Sequence, residues 1–302
     1  MKRTITLKPG EIIPINFDFV FTEIFNNPKN IDIIENFLSV YLEVPLSEMK
    51  NHVKIQSRDL ELTHKKEAKK HVDLLLDLNG RKINIEMSNK QSPGVMDRNV
   101  VYVCAIHSKQ MEYGKKDYTM IHKTLQINLN NYSLGRGELK ESYYMATEKG
   151  KILTKKLQID MIDMVKGREI CYTDNENKLA RWCKVLTSTS EKELKEALGD
   201  DLMEQEPKEK LVDEVTKLSN DEDAVILYTK LTREELEQNT YLAEAKQEGI
   251  EQGIKQGIEE GMNKKSAEIA RKMLEQKIDI EMIQTITGFT IEELQKMKEN
   301  ID

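Results

Sequence analysis

The sequence predicts a mixed α/β fold in which helices flank a β-sheet, followed by a helical C-terminal half. Apolar residues recur at helical spacing on both sides of Asn26-Asn27-Pro28, which indicates two helices within 16–42. A strand–turn–strand pattern occupies 72–88. Other segments are helix-like at 94–113 and strand-like at 53–62, 119–130, 141–147 and 156–164. This order of helices and strands is typical of a sheet covered by helices.

The clearest local pattern is a β-hairpin centred on Asn79-Gly80. This dipeptide favours a two-residue turn because both turn positions need a positive φ angle. With Asn79 and Gly80 as the loop, the pairing of the two strands places Asp73 opposite Glu86. Directly opposed Cβ atoms lie about 4.5–5.5 Å apart, so the two carboxylates are predicted to be neighbours.

The predicted hairpin has one apolar face and one polar face. The apolar face is suited to a core and comprises Val72, Leu74, Leu76, Leu78, Ile83, Ile85 and Met87. On the polar face the like charges of Asp73 and Glu86 repel each other, and a bound divalent cation is the simplest way to offset the repulsion. The alternative is an edge hairpin whose carboxylates point into solvent, where Lys82 and His71 soften the repulsion.

The C-terminal half is predicted to be helical from about residue 175, with Trp182 as a core anchor. Within it, glycine recurs every four residues from Gly249 to Gly261, beside Ile250, Ile254, Ile258 and Met262. Glycine costs about 1 kcal/mol in a helix interior relative to alanine, so the repeat needs a reason. It predicts either a helix whose glycine face packs closely in a homodimer or a weakly helical flexible linker.

The tail from 263 to 302 resembles three short helices. Asp279 and Thr290 are suited to helix N-caps, and Gly288 to a helix end. A helix-turn-helix is one interpretation of 280–297. In its second helix the acidic residues are at least as numerous as the basic ones, which disfavours close approach to DNA phosphates.

Composition narrows the class of protein. The chain has 302 residues, 33 % of them charged, a mean hydropathy of −0.60 and a net charge of −7. It has no run of ~20 apolar residues and no secretory signal pattern, so a cytoplasmic protein without membrane contact is expected. The three cysteines lack metal-binding spacing and are expected to be reduced. The locally basic segment 50–70 suits either a polyanionic substrate or a solvated loop.

Several short motifs accompany the Asp73–Glu86 hairpin in a characteristic order. They are Asp18, Phe21 and Phe25; Arg98 and Tyr102; Tyr113, Gly114 and Tyr118; Asn177–Trp182; the glycine repeat; and Thr287–Phe289. Together they resemble the PD-(D/E)XK nuclease family of recombination-promoting nucleases and transposases, over nearly the whole chain. The resemblance implies a restriction-endonuclease-like mixed β-sheet core flanked by helices, with a helical C-terminal extension.

The resemblance also implies a domain plan and an activity. The expected parts are a nuclease-like core at 1–170, a helical subdomain at 171–240, a glycine-repeat helix or linker at 241–262 and a small helical tail at 263–302. The implied activity is cleavage of DNA with Mg²⁺ (or Mn²⁺). Asp73 and Glu86 would be metal ligands, the Met87 carbonyl a further ligand, and Asp18 a nearby helix-borne acid. Hard oxygen ligands suit Mg²⁺, which polarises a phosphate and activates water.

Two positions depart from the family pattern. Ser88 stands where relatives carry Gln or Lys, and Thr22 stands in place of a Lys. Lys90 would point the same way as Ser88 if the strand continued. Gln91, or His71 opposite Ser88 in the predicted pairing, are other replacements. The sequence therefore predicts either an active DNA endonuclease of recombination or mobile-element biology, or a catalytically weakened nuclease-like binding protein.

Overall fold

The computed structural model describes residues 6–60, 70–111 and 117–299. The chain divides into two compact units, of which the first ends at Thr229 and the second begins at Lys230. The basic residues expected at 65–69 and the Tyr113-Gly114 motif lie outside the described residues. The domain bounds expected at 170, 240 and 262 stay a prediction.

The first unit is built on a mixed β-sheet. Its strands are β1 (Val53–Ile55), β4 (Leu74–Leu78), β5 (Arg81–Ser88), β6 (Thr124–Asn130), β7 (Lys140–Ala146) and β8 (Ile152–Asp163). They lie in the order β1-β4-β5-β6-β8-β7. The pairs β5–β6 and β6–β8 are parallel, and the other neighbours are antiparallel. Two further strands, β2 (Asp59–Leu60) and β3 (Lys70–His71), form a separate antiparallel pair. The predicted mixed α/β fold is confirmed.

The β4–β5 hairpin has the predicted turn and pairing. Asn79 and Gly80 adopt φ angles of 50° and 86°, the left-handed conformation that this turn requires. The paired residues run from Leu78–Arg81 to Leu74–Ile85, where the ladder ends. Because β4 also pairs with β1, and β5 with β6, the hairpin lies inside the sheet. The alternative of a solvated edge hairpin is therefore wrong.

Helices cover both faces of the sheet. In the described residues, seven α-helices lie wholly within the first unit: α1 (Asp18–Phe25), α2 (Ile31–Leu42), α3 (Val95–Lys109), α4 (Met164–Thr173), α5 (Lys178–Thr187), α6 (Glu191–Leu198) and α7 (Gln205–Ser219). The main core joins α1, α2 and α5–α7 to the apolar face of the hairpin. Trp182 is fully buried there and meets Phe37 edge-on, with ring centroids 5.3 Å apart, so its predicted role as a core anchor is confirmed.

The opposite face of the sheet lies under α3. Val72 belongs to this side, where it packs with Tyr102 and Ile106. Its assignment to the apolar face of the hairpin is therefore wrong. The ladder ends at Leu74, and Asp73 forms a bend, so the alternation of side chains does not continue back to Val72.

The helix α4 was not expected from the sequence. It follows β8 directly and begins with an N-cap in which the Asp163 side chain accepts a hydrogen bond from the Lys166 N–H at 2.8 Å. Gly167 allows close packing, since a Cβ atom there would lie 2.6 Å from Cys183 Sγ. Cys171 and Cys183 are buried and unpaired, as expected for reduced thiols.

The glycine repeat lies in the second unit, within a long helix of 54 residues, α8 (Glu222–Glu275), that begins before the unit boundary. The segment is helical, and the choice between a self-associating helix and a linker stays a prediction. Ile250, Ile254, Ile258 and Met262 are 47 %, 58 %, 59 % and 66 % exposed. A Cβ atom added to any of the four glycines would meet no atom within 4 Å. Nothing described within this single chain explains the repeat.

The tail forms a small helical unit. The end of α8 packs with α9 (Ile280–Thr287) and α10 (Ile291–Glu299) around Ala270, Leu274, Ile283 and Leu294. The side chains of Asp279 and Thr290 cap α9 and α10, and Gly288 ends α9 with a φ of 78°, as predicted. None of the described helices combines the length and the apolar character that a bilayer crossing needs.

Candidate active site

Asp73 and Glu86 lie side by side at the point where the β4–β5 ladder ends. Asp73 Oδ2 accepts a hydrogen bond from the Met87 N–H at 2.8 Å, and the Asp73 N–H points to Glu86 Oε1 at 3.4 Å. The Asp73 carboxylate thus takes the place of a backbone acceptor on the missing strand. The predicted proximity of the two carboxylates is confirmed, although through these bonds and not through a ladder pair.

Burial dominates the electrostatics of this pair. Glu86 is only 6 % exposed, and its Oε1 accepts a hydrogen bond from Asn84 Nδ2 at 3.0 Å. Burial, and then the charge of Asp73, raise the pKa of Glu86 to about 8. Burial also raises the pKa of Asp73, although the Met87 N–H and two arginines oppose it. In the described part of the chain, no hydrogen bond reaches Asp73 Oδ1 or Glu86 Oε2.

Asp18 lies near the pair at the start of α1. Burial, and then the charge of Asp73, raise the pKa of the Asp18 carboxyl. The segment before α1 is held to the end of β5, because Asn16 Nδ2 donates to Asn89 Oδ1 at 2.6 Å and Asn89 Nδ2 donates to the Asn16 carbonyl at 2.7 Å. These hydrogen bonds between Asn16 and Asn89 bring Asp18 to the same end of β5 as Asp73 and Glu86.

Two arginines flank the acids from different elements. Arg98, in the first turn of α3, has an exposed side chain, and its charge opposes the burial effect on the pKa values of Asp18, Asp73 and Glu86. Among the described residues its guanidinium forms no hydrogen bond or ion pair. Arg58 donates from Nε to the Val72 carbonyl at 2.7 Å, and its charge likewise opposes the raised pKa of Asp73. The sequence identifies Arg58 only as part of the locally basic segment 50–70, and no motif predicts that it lies beside Asp73.

A layer of buried amides positions α3 above the sheet. Gln126 Nε2 on β6 donates to Asn99 Oδ1 on α3 at 3.0 Å and to Asn128 Oδ1 at 3.1 Å. Asn84 lies beside Gln126 in the β5–β6 pairing. Asn84, Asn99 and Gln126 have no measurable exposure. This layer of hydrogen-bonded amides fixes the position of the first turn of α3, and therefore of Arg98, relative to the carboxylates.

The residues expected to act in place of a Lys or Gln at position 88 do not lie where the sequence predicted. β5 ends at Ser88, so the strand does not continue to Lys90, and the argument that Lys90 points the same way as Ser88 does not hold. The Ser88 hydroxyl instead donates to the Lys90 carbonyl at 3.3 Å. His71 pairs with Asp59, with Nδ1 and Oδ1 2.9 Å apart, so its expected position opposite Ser88 is wrong. Gln91 is exposed.

Two protein-family models together match most of the chain. A family model described as PD-(D/E)XK nuclease family transposase matches residues 15–245, which include the whole sheet and Asp18, Asp73 and Glu86. A second model, described as the C-terminal HTH domain of the Rpn/YhgA-like nuclease family, matches residues 263–299. No curated protein matches this chain.

These matches confirm two expectations from the sequence. The mixed sheet with flanking helices and a helical C-terminal region is the restriction-endonuclease-like architecture that the resemblance implied. The helix-turn-helix interpretation of the tail is also confirmed. A nuclease-family core followed by a helix-turn-helix domain implies DNA as the partner. The first match covers well over half of the sequence, and the chain therefore belongs to the PD-(D/E)XK nuclease family transposases.

Proposed function

We propose that this chain is a DNA endonuclease that requires Mg²⁺ or Mn²⁺ and acts in recombination or mobile-element biology. The observation that carries the proposal is the pair of the buried Glu86 and the partly buried Asp73, in which one oxygen of each carboxyl has no hydrogen-bond partner among the described residues. Two adjacent negative charges that are largely removed from water are unfavourable unless a cation neutralises them. A divalent metal ion supplies that charge.

The donor set suits Mg²⁺ bound together with its substrate. No group of three or more His, Cys, Asp and Glu side chains among the described residues could hold a metal ion alone. Mg²⁺ does not require such a group, because it commonly binds one or two carboxylates, a substrate phosphate and several waters. Asp73 Oδ1, Glu86 Oε2 and the Met87 carbonyl would be the protein ligands. When bound, the ion would polarise the scissile phosphate and lower the pKa of the attacking water.

The side chains around the carboxylates then have distinct tasks. Asp18, at the start of α1, would accept a hydrogen bond from the attacking water. Arg98 supplies a positive charge on the exposed side of the site and has no ion-pair partner of its own among the described residues. A guanidinium in that position can bind a non-bridging phosphate oxygen and stabilise the charge that develops during cleavage. Arg98 thereby takes the role of the basic or amide group that β5 lacks at Ser88. Lys90 is the alternative residue for this role.

The direct test is nicking of supercoiled plasmid by the purified full chain. The proposal expects relaxed product with Mg²⁺ or Mn²⁺, and no product when EDTA removes the metal. Asp73→Asn should lose cleavage. Asp77→Asn is the matched control, because Asp77 lies four residues further along, in β4, and forms an ion pair with Lys82, 2.6 Å away. Equal nicking by wild-type and Asp73→Asn protein would refute the proposal.

A second candidate is a nuclease-like protein that binds DNA without cutting it. What favours it is Ser88 at the last position of β5, where the family resemblance implies a Gln or Lys. Its hydroxyl is short, uncharged and directed at the Lys90 carbonyl. This candidate predicts DNA binding with no nicking under Mg²⁺ or Mn²⁺, and no loss of binding in Asp73→Asn.

The glycine repeat in α8 supports a further proposal, that the full chain is a homodimer. The four glycines leave open backbone on a helix whose neighbouring Ile and Met side chains are about half exposed. Close packing of the same helix from a second copy would bury these side chains and compensate for the low helix propensity of glycine.

A further inference from the structure

A polar groove of about 540 Å³ lies beside the carboxylate pair. It is lined by Asn26, Gln56, Ser57, Arg58, Asp59 and His71, with one apolar side chain, Ile55. A lining of two amides, a hydroxyl, a guanidinium and the Asp59–His71 pair suits a polar, charged ligand.

The groove and the carboxylate pair are built on the same stretch of backbone. Asn26 Nδ2 donates to the Asp73 carbonyl at 2.6 Å, and Arg58 Nε donates to the Val72 carbonyl at 2.7 Å. The Val72 N–H donates back to the Arg58 carbonyl at 3.1 Å. A molecule that fills the groove therefore lies directly against the residues that carry the Asp73 side chain.

The guanidinium of Arg58 is the group in the groove that can bind a negatively charged ligand. Its Nε is engaged by the Val72 carbonyl, which leaves the two terminal amino groups of the guanidinium without a hydrogen-bond or ion-pair partner among the described residues. The neighbouring acid, Asp59, faces His71, with Oδ1 and Nδ1 2.9 Å apart. Two parallel N–H donors on a half-buried guanidinium match the oxygens of a phosphate.

From this placement we infer that the groove binds a backbone phosphate of the DNA strand, next to the phosphate that is cleaved, with Arg58 as the principal contact. The inference rests on the proposed function for the scissile phosphate at Asp73 and Glu86. Successive phosphates on one strand lie close together, about 3.4 Å apart along the duplex axis, so a strand placed at the carboxylates can present its next phosphate to the groove. The contact is with the sugar–phosphate backbone, so it carries no sequence preference.

The test compares two substitutions of Arg58 in the full chain. Arg58→Ala should weaken binding of a short DNA duplex roughly tenfold, and it should reduce the slope of log affinity against log salt by about one. Arg58→Lys retains the charge and should recover much of the affinity. Lys54→Ala is the control: it removes one nearby positive charge from a residue that does not line the groove. Binding is measured in EDTA, so the result does not depend on cleavage.

A small substrate separates this inference from the proposed function. Bis(p-nitrophenyl) phosphate has a single phosphate and cannot occupy the groove and the carboxylate site together. Arg58→Ala should therefore lose a much larger share of its kcat/KM for duplex DNA than of its kcat/KM for this substrate. If no variant cleaves any substrate, the proposed function fails, but the EDTA binding comparison still decides the groove. Unchanged DNA affinity and salt dependence in Arg58→Ala would overturn the inference. Equal losses in Arg58→Ala and Arg58→Lys, accompanied by a lower Tm, would assign Arg58 a structural role and overturn it as well.

Discussion

The carboxylate of Asp73 accepts a hydrogen bond from the backbone N–H of Met87, 2.8 Å away, just where the β4–β5 ladder ends. This bond does two things at once. It satisfies a backbone donor that has lost its strand partner, and it holds the Asp73 carboxylate beside Glu86. The hairpin ladder and the candidate metal site are therefore parts of one structure, since the site begins at the residue where regular pairing stops.

The pH dependence of stability in the metal-free protein follows from this arrangement. Burial, and then the charge of Asp73, raise the pKa of Glu86 from 4.5 to about 8. Between these values the unfolded chain has released the proton while the folded protein retains it, so the free energy of unfolding falls as pH rises. The slope for this group approaches about 1.4 kcal/mol per pH unit. Denaturant unfolding in EDTA across this pH range should show the decline.

Two comparisons isolate the Glu86 contribution to that profile. Glu86→Gln cannot titrate and should flatten the decline, whereas Asp77→Asn should leave it in place. Saturating Mg²⁺ should stabilise wild-type protein most at the alkaline end, where Glu86 is ionised. If metal-free wild-type protein and Glu86→Gln show the same dependence of stability on pH, the pKa of Glu86 is not raised in the folded protein.

A second prediction concerns Ser88 and Lys90, because the family resemblance implies a Gln or Lys at the position of Ser88. If the site is merely weakened there, Ser88→Lys and Ser88→Gln should raise the nicking rate. If Lys90 has taken over the role, Lys90→Ala should abolish nicking and Ser88→Ala should have little effect. Plasmid nicking by all four variants at saturating Mg²⁺ distinguishes these outcomes. A rate equal to wild type in every variant would remove both positions from the chemistry.

Arg98 is the third prediction. Loss of one charge-assisted contact to the transition state typically costs about 3 kcal/mol, so Arg98→Ala should lower kcat by roughly 10²-fold. Lys149→Ala removes an exposed positive charge from a turn and should leave kcat unchanged. Because a point charge restores attraction without the planar fork, Arg98→Lys should recover only part of the rate. An Arg98→Ala enzyme with full kcat would show that another group stabilises the phosphate.

The helix α8 leads to a fourth prediction. If its glycine face packs against a second copy, truncation at about residue 240 should convert a dimer into a monomer while the core stays folded. Replacing Gly253 and Gly257 by alanine gives a sharper test. In a single chain this raises helix propensity by about 1 kcal/mol per site, but it blocks close backbone approach between helices. Sedimentation should therefore show weaker association in a more helical protein. A full chain that is monomeric at micromolar concentrations would contradict the proposal.

The parts of the fold that local chemistry determines could be predicted from the sequence. Asn79-Gly80 requires a tight turn with positive φ angles, so the pairing of β4 with β5 followed from it, and the proximity of Asp73 and Glu86 followed from the pairing. Trp182, Asp279 and Gly288 also took their expected roles, because burial of a large ring, N-capping and left-handed helix ends depend on residue type.

The remaining parts depend on contacts between distant segments. Val72 lies on the opposite face from the one predicted because the chain bends at Asp73, and no local pattern marks that bend. His71 pairs with Asp59 and not with Ser88 because β3 joins a separate two-stranded sheet. The positions of Arg58 and Arg98 beside the acids are set by tertiary packing. A sequence pattern identifies each residue separately but does not bring them together.

The central claim is that Asp73 and Glu86 hold one divalent metal ion, and binding of Mn²⁺ tests it most directly. Calorimetric or electron paramagnetic resonance titration of the full chain at about pH 8, where Glu86 is ionised more readily, should give one site per chain. Asp73→Asn and Glu86→Gln should each abolish that site, and Asp77→Asn should retain it. Equal Mn²⁺ binding by wild-type, Asp73→Asn and Glu86→Gln protein would contradict the account.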